Sequence, residues 1–217
     1  ESFYGFRYIY ERPSLLGLQL TFLGCNLTAT FGNTVLAPMI LARTADNSII
    51  LASVLSASGI GGLLGSAAMM IWGGPKRRVH GVLLGMTLAS LAGSFLLGLG
   101  RSWYVWAPAS FLGMFFIPII NGSNQAIWQA KVAPDVQGRV FATRLLIAQI
   151  SIPVSMILAG PLADLFFEPG MISEGALSSM FSWIVGNGPG AGMSLMLVLG
   201  GILGALTGLA GYAFHFV

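Results

Sequence analysis

The stretch Ser48–Trp72, SIILASVLSASGIGGLLGSAAMMIW, contains no charged side chain. A helix needs about 20 consecutive apolar residues to cross the hydrocarbon core of a bilayer, and this stretch is longer than that. It lacks the alternation of polar and apolar residues that is typical of a membrane β-strand. Ser48–Trp72 therefore predicts a transmembrane helix.

The composition of the whole chain leads to the same class of protein. Of its 217 residues, 55% are hydrophobic and 8% are charged, whereas soluble domains carry about 25% charged residues. The net charge of +3 sits in short clusters, which favours an orientation signal over nucleic-acid binding. The single cysteine, Cys25, excludes a disulfide framework and a cysteine-based metal site. We predict an integral membrane protein in contact with the lipid bilayer, without metal, cofactor or nucleic acid.

Five further apolar runs complete a predicted all-α bundle. Residues 1–14 are predicted as a cytoplasmic linker and residues 15–217 as a six-helix transmembrane bundle, with an extracytoplasmic loop at about 167–190. The predicted helices are about 15–42, 48–72, 79–100, 103–130, 140–166 and 191–217. In the long loop, an interfacial helix is predicted from Ile172, Leu177, Met180, Phe181 and Trp183. Because the chain begins at Glu1 and stops within an apolar run, we expect it to be part of a longer protein.

The distribution of Lys and Arg predicts the orientation. Eight of them fall before the first helix and in alternate loops, and two fall in the other loops, where Glu168 and Glu174 also lie. The positive-inside rule places the larger group in the cytoplasm, so both termini are predicted to be cytoplasmic. The larger group is Arg7, Arg12, Lys76, Arg77, Arg78, Lys131, Arg139 and Arg144, and the smaller one is Arg43 and Arg101.

Glycines recur at four-residue spacing in three predicted helices. Small residues at this spacing let membrane helices approach closely, so we interpret them as packing seams. Surfaces that slide during a rocking motion are the alternative. The glycines are Gly61 and Gly65, Gly81 and Gly85, and Gly200, Gly204 and Gly208.

Side-chain amides form two stripes inside predicted helices. The first helix carries Gln19, Asn26 and Asn33 at spacings of seven, and the fourth carries Asn121, Asn124 and Gln125 at i, i+3 and i+4, which places each set on one face. Gln149 lies inside the fifth helix, one turn before Pro153. In the fourth helix, Pro118 and Gly122 predict a kink or local unwinding.

An amide is costly in hydrocarbon unless it is hydrogen-bonded or hydrated. Hydrogen bonds between helices are one explanation for the stripes. A water-accessible cavity that binds a solute is the other, and two aligned stripes favour it. No Asp, Glu, Lys or Arg lies near the centre of a predicted helix. The charged residues Arg144 and Asp164 fall within the predicted fifth helix but near its ends. A residue that titrates during ion coupling is therefore expected outside this chain.

Two predicted cytoplasmic loops carry a resemblance to a known family. The segment Gly73-Gly74-Pro75-Lys76-Arg77-Arg78 resembles the basic loop between the second and third helices of each half of major facilitator superfamily transporters. The segment Pro134-Asp135-Val136-Gln137-Gly138-Arg139-Val140 is similar to the turn between the fourth and fifth helices of the C-terminal half, in the form found in bacterial macrolide and enterobactin exporters. The lead-in from Gly5 to Pro13 is similar to the segment that joins the two halves. One departure is the absence of the family's acidic residue in Met69–Trp72.

The resemblance implies half of a twelve-helix major facilitator fold in the bacterial inner membrane. The partner would be an N-terminal six-helix half, and the activity would be export of a small organic solute by alternating access, driven by a proton or another cation. The predicted cavity residues are Asn26, Asn33, Asn121, Asn124, Gln125 and Gln149, and the predicted loop residues are Gly74, Lys76, Arg77, Arg78, Pro134, Gly138 and Arg139.

Three alternatives remain open at the level of sequence. The membrane half of an ATP-driven permease would predict longer cytoplasmic helices than these loops allow. A membrane-embedded enzyme would need clustered His, Asp or Cys, which the sequence lacks. A fragment that does not transport is the third alternative, because the chain would lack its partner bundle.

Overall fold

The computed structural model describes residues 4–171, 175 and 177–213, and within these ranges the chain is helical with short connections and no strand. Six of its helices are long and apolar enough to cross a membrane. This confirms the prediction of an all-α, multi-pass membrane protein. The helices are α1 (Tyr4–Tyr10), α2 (Pro13–Arg43), α3 (Ser48–Trp72), α4 (Arg78–Leu99), α5 (Trp103–Lys131), α6 (Gln137–Met171), α7 (Ser178–Val185) and α8 (Ala191–Ala213), of which α2 to α6 and α8 are the six.

Within the segment predicted as a linker, α1 packs on the beginning of α6. A Cβ atom on Gly5 would lie 2.0 Å from the hydroxyl oxygen of Thr143, so this glycine allows a close helix contact. The guanidinium of Arg139 lies 5.6 Å from the centre of the Tyr4 ring. Pro13 begins α2, at a position where its missing N–H costs no helical hydrogen bond.

The regular helical hydrogen bonding is interrupted in a different place from the one predicted. α5 continues through Pro118 and Gly122, so the local unwinding predicted there is absent. In α6 the hydrogen-bond pattern is interrupted at Ile150 instead, although the φ and ψ angles of this residue, −62° and −26°, remain helical. Pro153 explains this break, because it cannot donate a hydrogen bond to the carbonyl of Gln149 and its ring crowds that carbonyl.

The long loop is shorter than predicted. α6 extends to Met171, past the predicted end of the fifth helix, and α7 holds Met180, Phe181 and Trp183 of the predicted interfacial helix. Leu177 lies just before α7. Ile172, Glu174 and residues 214–217 of the last predicted helix lie outside the described residues.

The glycine seams are helix contacts, with one correction. Cβ atoms on Gly61 and Gly65 would lie 2.2 and 2.1 Å from the carbonyl oxygens of Phe111 and Phe115, so α3 and α5 touch backbone to backbone. Gly81 and Gly85 also form a close helix contact, in which they pack against the side chains of Ser123 and Ile120 on α5. On α8, Gly201, Gly204, Gly208 and Gly211 pack tightly against α4, whereas a Cβ atom on Gly200 would meet only the Thr28 carbonyl oxygen, at 3.7 Å.

At the end of the bundle opposite the N-terminus, the two arginines of the smaller charge group and Glu168 connect the ends of neighbouring helices. Arg43 donates to the carbonyls of Val185 (2.6 Å), Gly100 (3.3 Å) and Gly190 (3.5 Å). Arg101 donates to the carbonyl of Ile184, at 3.2 Å. Glu168 accepts from the backbone N–H groups of Gly190 and Met193 at the beginning of α8. Cations thus meet the carbonyl end of α7 and an acid meets the N–H end of α8, as the helix dipoles favour.

Candidate solute cavity

A cavity of about 200 Å³ opens between α2, α3, α4 and α5. Its apolar lining includes Phe22, Met86 and Met114, and no Asp, Glu, Lys, Arg or His among the described residues lines it. The cavity therefore offers neutral hydrogen-bonding groups on an apolar wall. The polar side chains in its lining are Asn26, Asn33, Ser58, Ser90, Ser94, Ser110 and Asn121.

A wider helical turn places serines on this wall. Residues Ser90–Phe95 of α4 form a π-helical segment, and Ser90, Gly93 and Ser94 all line the cavity. π-helical turns inside α-helices are frequent at functional sites. A Cβ atom on Gly93 would lie 3.0 Å from the Cα atom of Gly113, so this glycine lets α4 approach α5 beside the cavity.

A second cavity, of about 350 Å³, lies between α2, α5 and α6. Phe22, Asn26 and Asn121 line both cavities and form the boundary between them. The second cavity also contains Gln125 and Arg144. Five residues of the two predicted stripes therefore line one or both cavities: Gln19, Asn26, Asn33, Asn121 and Gln125.

Arg144 was predicted only as an orientation signal near a helix end. The structure places it about two turns, roughly 10 Å, into α6 from Gln137. Its Nη1 atom donates to Oε1 of Gln125 at 3.1 Å. The guanidinium lies 5.3 Å from the centre of the Trp128 ring and 5.7 Å from that of the Phe141 ring. The sequence signal that indicates a cavity position for Arg144 is that this residue lies beyond the first turn of the predicted fifth helix.

Two predicted cavity residues lie elsewhere. Asn124 is 2% exposed and sits in the core, where its Oδ1 atom has no hydrogen-bond partner. Asn121 and Gln125 are four residues apart and share the cavity face, whereas Asn124 is turned by about 100° from Gln125 toward the packed side. Gln149 is exposed at the end of the first segment of α6 and lines neither cavity.

The first loop motif is closed by its own residues. Gly73 and Gly74 have φ angles of 73° and 83°, a left-handed conformation that glycine adopts without strain. Arg78 donates to the carbonyl of Gly73, whereas Lys76 and Arg77 are exposed. The turn thus uses Gly74 and Arg78 structurally and leaves two cations free to contact lipid phosphates.

In the second loop motif, the side chain of Gln137 closes the turn. Its Nε2 atom donates to the carbonyl of Val132 at 2.9 Å, at the end of α5. Pro134, Gly138 and Arg139 are exposed. A Cβ atom on Gly138 would meet no atom within 4 Å, so nothing in the structure explains a glycine there.

Comparison with known proteins assigns no family to the chain. No protein-family model, curated protein or solved structure matches the chain. Within the described residues, no group of three or more His, Cys, Asp or Glu side chains could hold a metal ion. The cavities and the loop motifs are therefore the features that bear on function.

Proposed function

We propose that this chain is one wall of a secondary active transporter that exports a small organic solute by alternating access. In this proposal it is the C-terminal half of a major facilitator transporter in a bacterial inner membrane, with both termini cytoplasmic. The two loop motifs support the family, and the cavities support solute binding. A second six-helix bundle would complete the passage.

One observation carries the proposal. Asn26 on α2 and Asn121 on α5 border two cavities that follow one another along the bundle. On α2, the lining runs from Gln19 to Leu36, a length of roughly 26 Å at 1.5 Å per residue. This is most of the roughly 30 Å hydrocarbon core. A chain of voids that carry hydrogen-bonding side chains across most of a membrane is what a solute pathway requires.

The exposed amides support a partner bundle. Asn33 and Asn121 are exposed on membrane-spanning helices, and an amide that faces lipid is costly. Water or a second bundle over this face removes the cost. Because no carboxylate of the residues that the structure describes lines either cavity, the group that binds the coupling proton or cation is expected on the partner half.

The experiment replaces the shared amides in the full-length protein. Asn26→Leu and Asn121→Leu keep the side-chain size but remove the proposed hydrogen bonds to the solute, each worth about 1 kcal/mol. We therefore expect the double variant to transport at least about tenfold more slowly. The measurement is the flux of ethidium, carboxyfluorescein and Nile red, three dyes of different charge, into inside-out vesicles.

Gln149→Leu is the matched control, because it removes an exposed amide of a membrane-spanning helix outside both cavities. We expect this variant to transport at the wild-type rate at equal expression. Equal rates for the control and the Asn26 and Asn121 double variant would contradict the proposal. So would the absence of flux of all three dyes in the wild-type protein.

A further inference from the structure

The guanidinium of Arg144 has more hydrogen-bond donors than the structure uses. An arginine carries five N–H donors, and one of them is bonded to Gln125. No acidic residue among the described ones forms an ion pair with Arg144, and none lines the cavity that contains it. A cation that lies within a membrane-spanning helix without a counter-ion calls for one.

The surroundings hold this cation in place. The buried side chain of Gln19 donates from Nε2 to the carbonyl of Arg144 at 3.3 Å, which ties α2 to this point of α6. Trp128 and Phe141 flank the guanidinium. Because Oε1 of Gln125 accepts from Arg144, the amide N–H₂ of Gln125 remains available as a further donor beside the cation.

We propose that the cavity between α2, α5 and α6 binds the carboxylate or phosphate of an amphipathic molecule through Arg144 and Gln125. Arg is suited to this role, since its planar N–H groups match the oxygens of both anions. The proposal rests on the proposed function and names the class of solute. It would make the transported solute an organic anion.

The remaining walls suit the apolar part of such a molecule. Phe22, Leu145 and Ala148 line the same cavity, and its volume is about 350 Å³. Beyond Asn26 and Asn121 the lining continues into the first cavity, which has Met86 and Met114 on its wall. An anionic group at Arg144 would therefore have an apolar surface on its inner side, toward the middle of the bundle.

The test uses the full-length protein in phosphatidylcholine vesicles. Leu145 is 60% exposed and lines the cavity, so Leu145→Cys, in a background without other cysteines, reports occupancy through its rate of labelling by a neutral fluorescent maleimide. The probes are octyl phosphate, octanoate, octanol and octyltrimethylammonium, which share a chain and differ in charge. We expect the two anions to slow labelling at least about fivefold more than octanol or the cation, because charge-assisted hydrogen bonds are the stronger class.

Two variants assign the effect to Arg144. Arg144→Gln should reduce the preference for anions to less than about twofold, and Arg144→Lys should keep part of it. Arg139→Gln is the matched control, because it removes an exposed arginine of the same helix outside the cavity and should leave the preference unchanged. Since Arg144→Lys keeps the charge, it keeps the test valid if Arg144→Gln does not fold.

The outcomes separate the possible occupants. Equal protection by all four probes, or a preference for anions that survives Arg144→Gln, would overturn the proposal. Anions that protect no better than octanol would also overturn it and would favour an acid of the partner bundle as the counter-ion. Slow labelling in vesicles with added phosphatidylglycerol, dependent on Arg144, would support the anion site and assign its phosphate to lipid. If transport depends on Asn26 and Asn121 without any anion preference, the proposed function stands and this inference fails.

Discussion

Gly65→Ala is expected to lower the stability of the bundle by about 3 kcal/mol, the upper part of the range for overpacked sites. The added methyl group would lie 2.1 Å from the carbonyl oxygen of Phe115, which is a backbone atom. A side chain could rotate away, but here α3 and α5 must separate along their shared seam. The same change at Gly61 should act alike, because its Cβ atom would lie 2.2 Å from the Phe111 carbonyl oxygen. The measurement is the fraction that remains folded during thermal denaturation in detergent.

Gly59→Ala is the matched control on the same helix. A Cβ atom on Gly59 would have no atom within 4 Å, and alanine is the better helix former by about 1 kcal/mol. Stability should therefore rise slightly or stay the same. A loss of stability of the same size in Gly59→Ala and Gly65→Ala would show that the contact between α3 and α5 is not the cause.

The number and class of the helices could be predicted because hydrophobicity and length decide them one segment at a time. Ser48–Trp72 needs no knowledge of its neighbours to be assigned to a membrane helix. The choice between Gly200 and Gly201 on α8 could not be made in this way. It depends on which side of α8 faces α4, and neighbouring residues differ in direction by only about 100°.

Spacing alone indicates only some of the residues that line the cavities, for a similar reason. Spacing places Asn121 and Gln125 on one face, but the width of that face decides whether Asn124 belongs to the wall or to the core. Ser90 and Ser94 were not predicted as cavity residues, and they line the first cavity within a π-helical segment. Such a turn shifts the register in a way that an ideal helical pattern does not contain.

The end of the bundle away from the N-terminus shows how a charge count can miss a structural role. In the sequence, Arg43 and Arg101 stand out only as the smaller of the two groups of Lys and Arg residues that predict orientation. In the structure, Arg43 joins the ends of α2, α4 and α7 through carbonyl groups, and Glu168 accepts from the first N–H groups of α8. Charged residues at this end therefore act as caps of neighbouring helices, which no local pattern in the sequence indicates.

Arg43→Met is expected to destabilise this end of the bundle by about 2–4 kcal/mol. Methionine replaces much of the apolar stem but leaves the carbonyls of Val185, Gly100 and Gly190 without their donor. Hydrogen bonds from a charged group contribute about 1.5–3 kcal/mol, and the partly buried carbonyls that lose them add to the cost. The measurement is the melting temperature in detergent, together with the rate at which a protease cuts between α7 and α8.

Arg101→Met tests whether position or charge decides the effect. Arg101 is exposed and donates to the same helix end at 3.2 Å, to Ile184, and at 3.5 Å, to Trp183. Exposed interactions of this kind contribute less than about 1 kcal/mol, so this variant should lose little stability and keep its resistance to protease. If Arg43→Met and Arg101→Met are equally stable, the 2.6 Å bond to Val185 does not hold α7 in place. If only Arg43→Met is cut rapidly, the arginine at the end of α2 anchors α7 against the bundle.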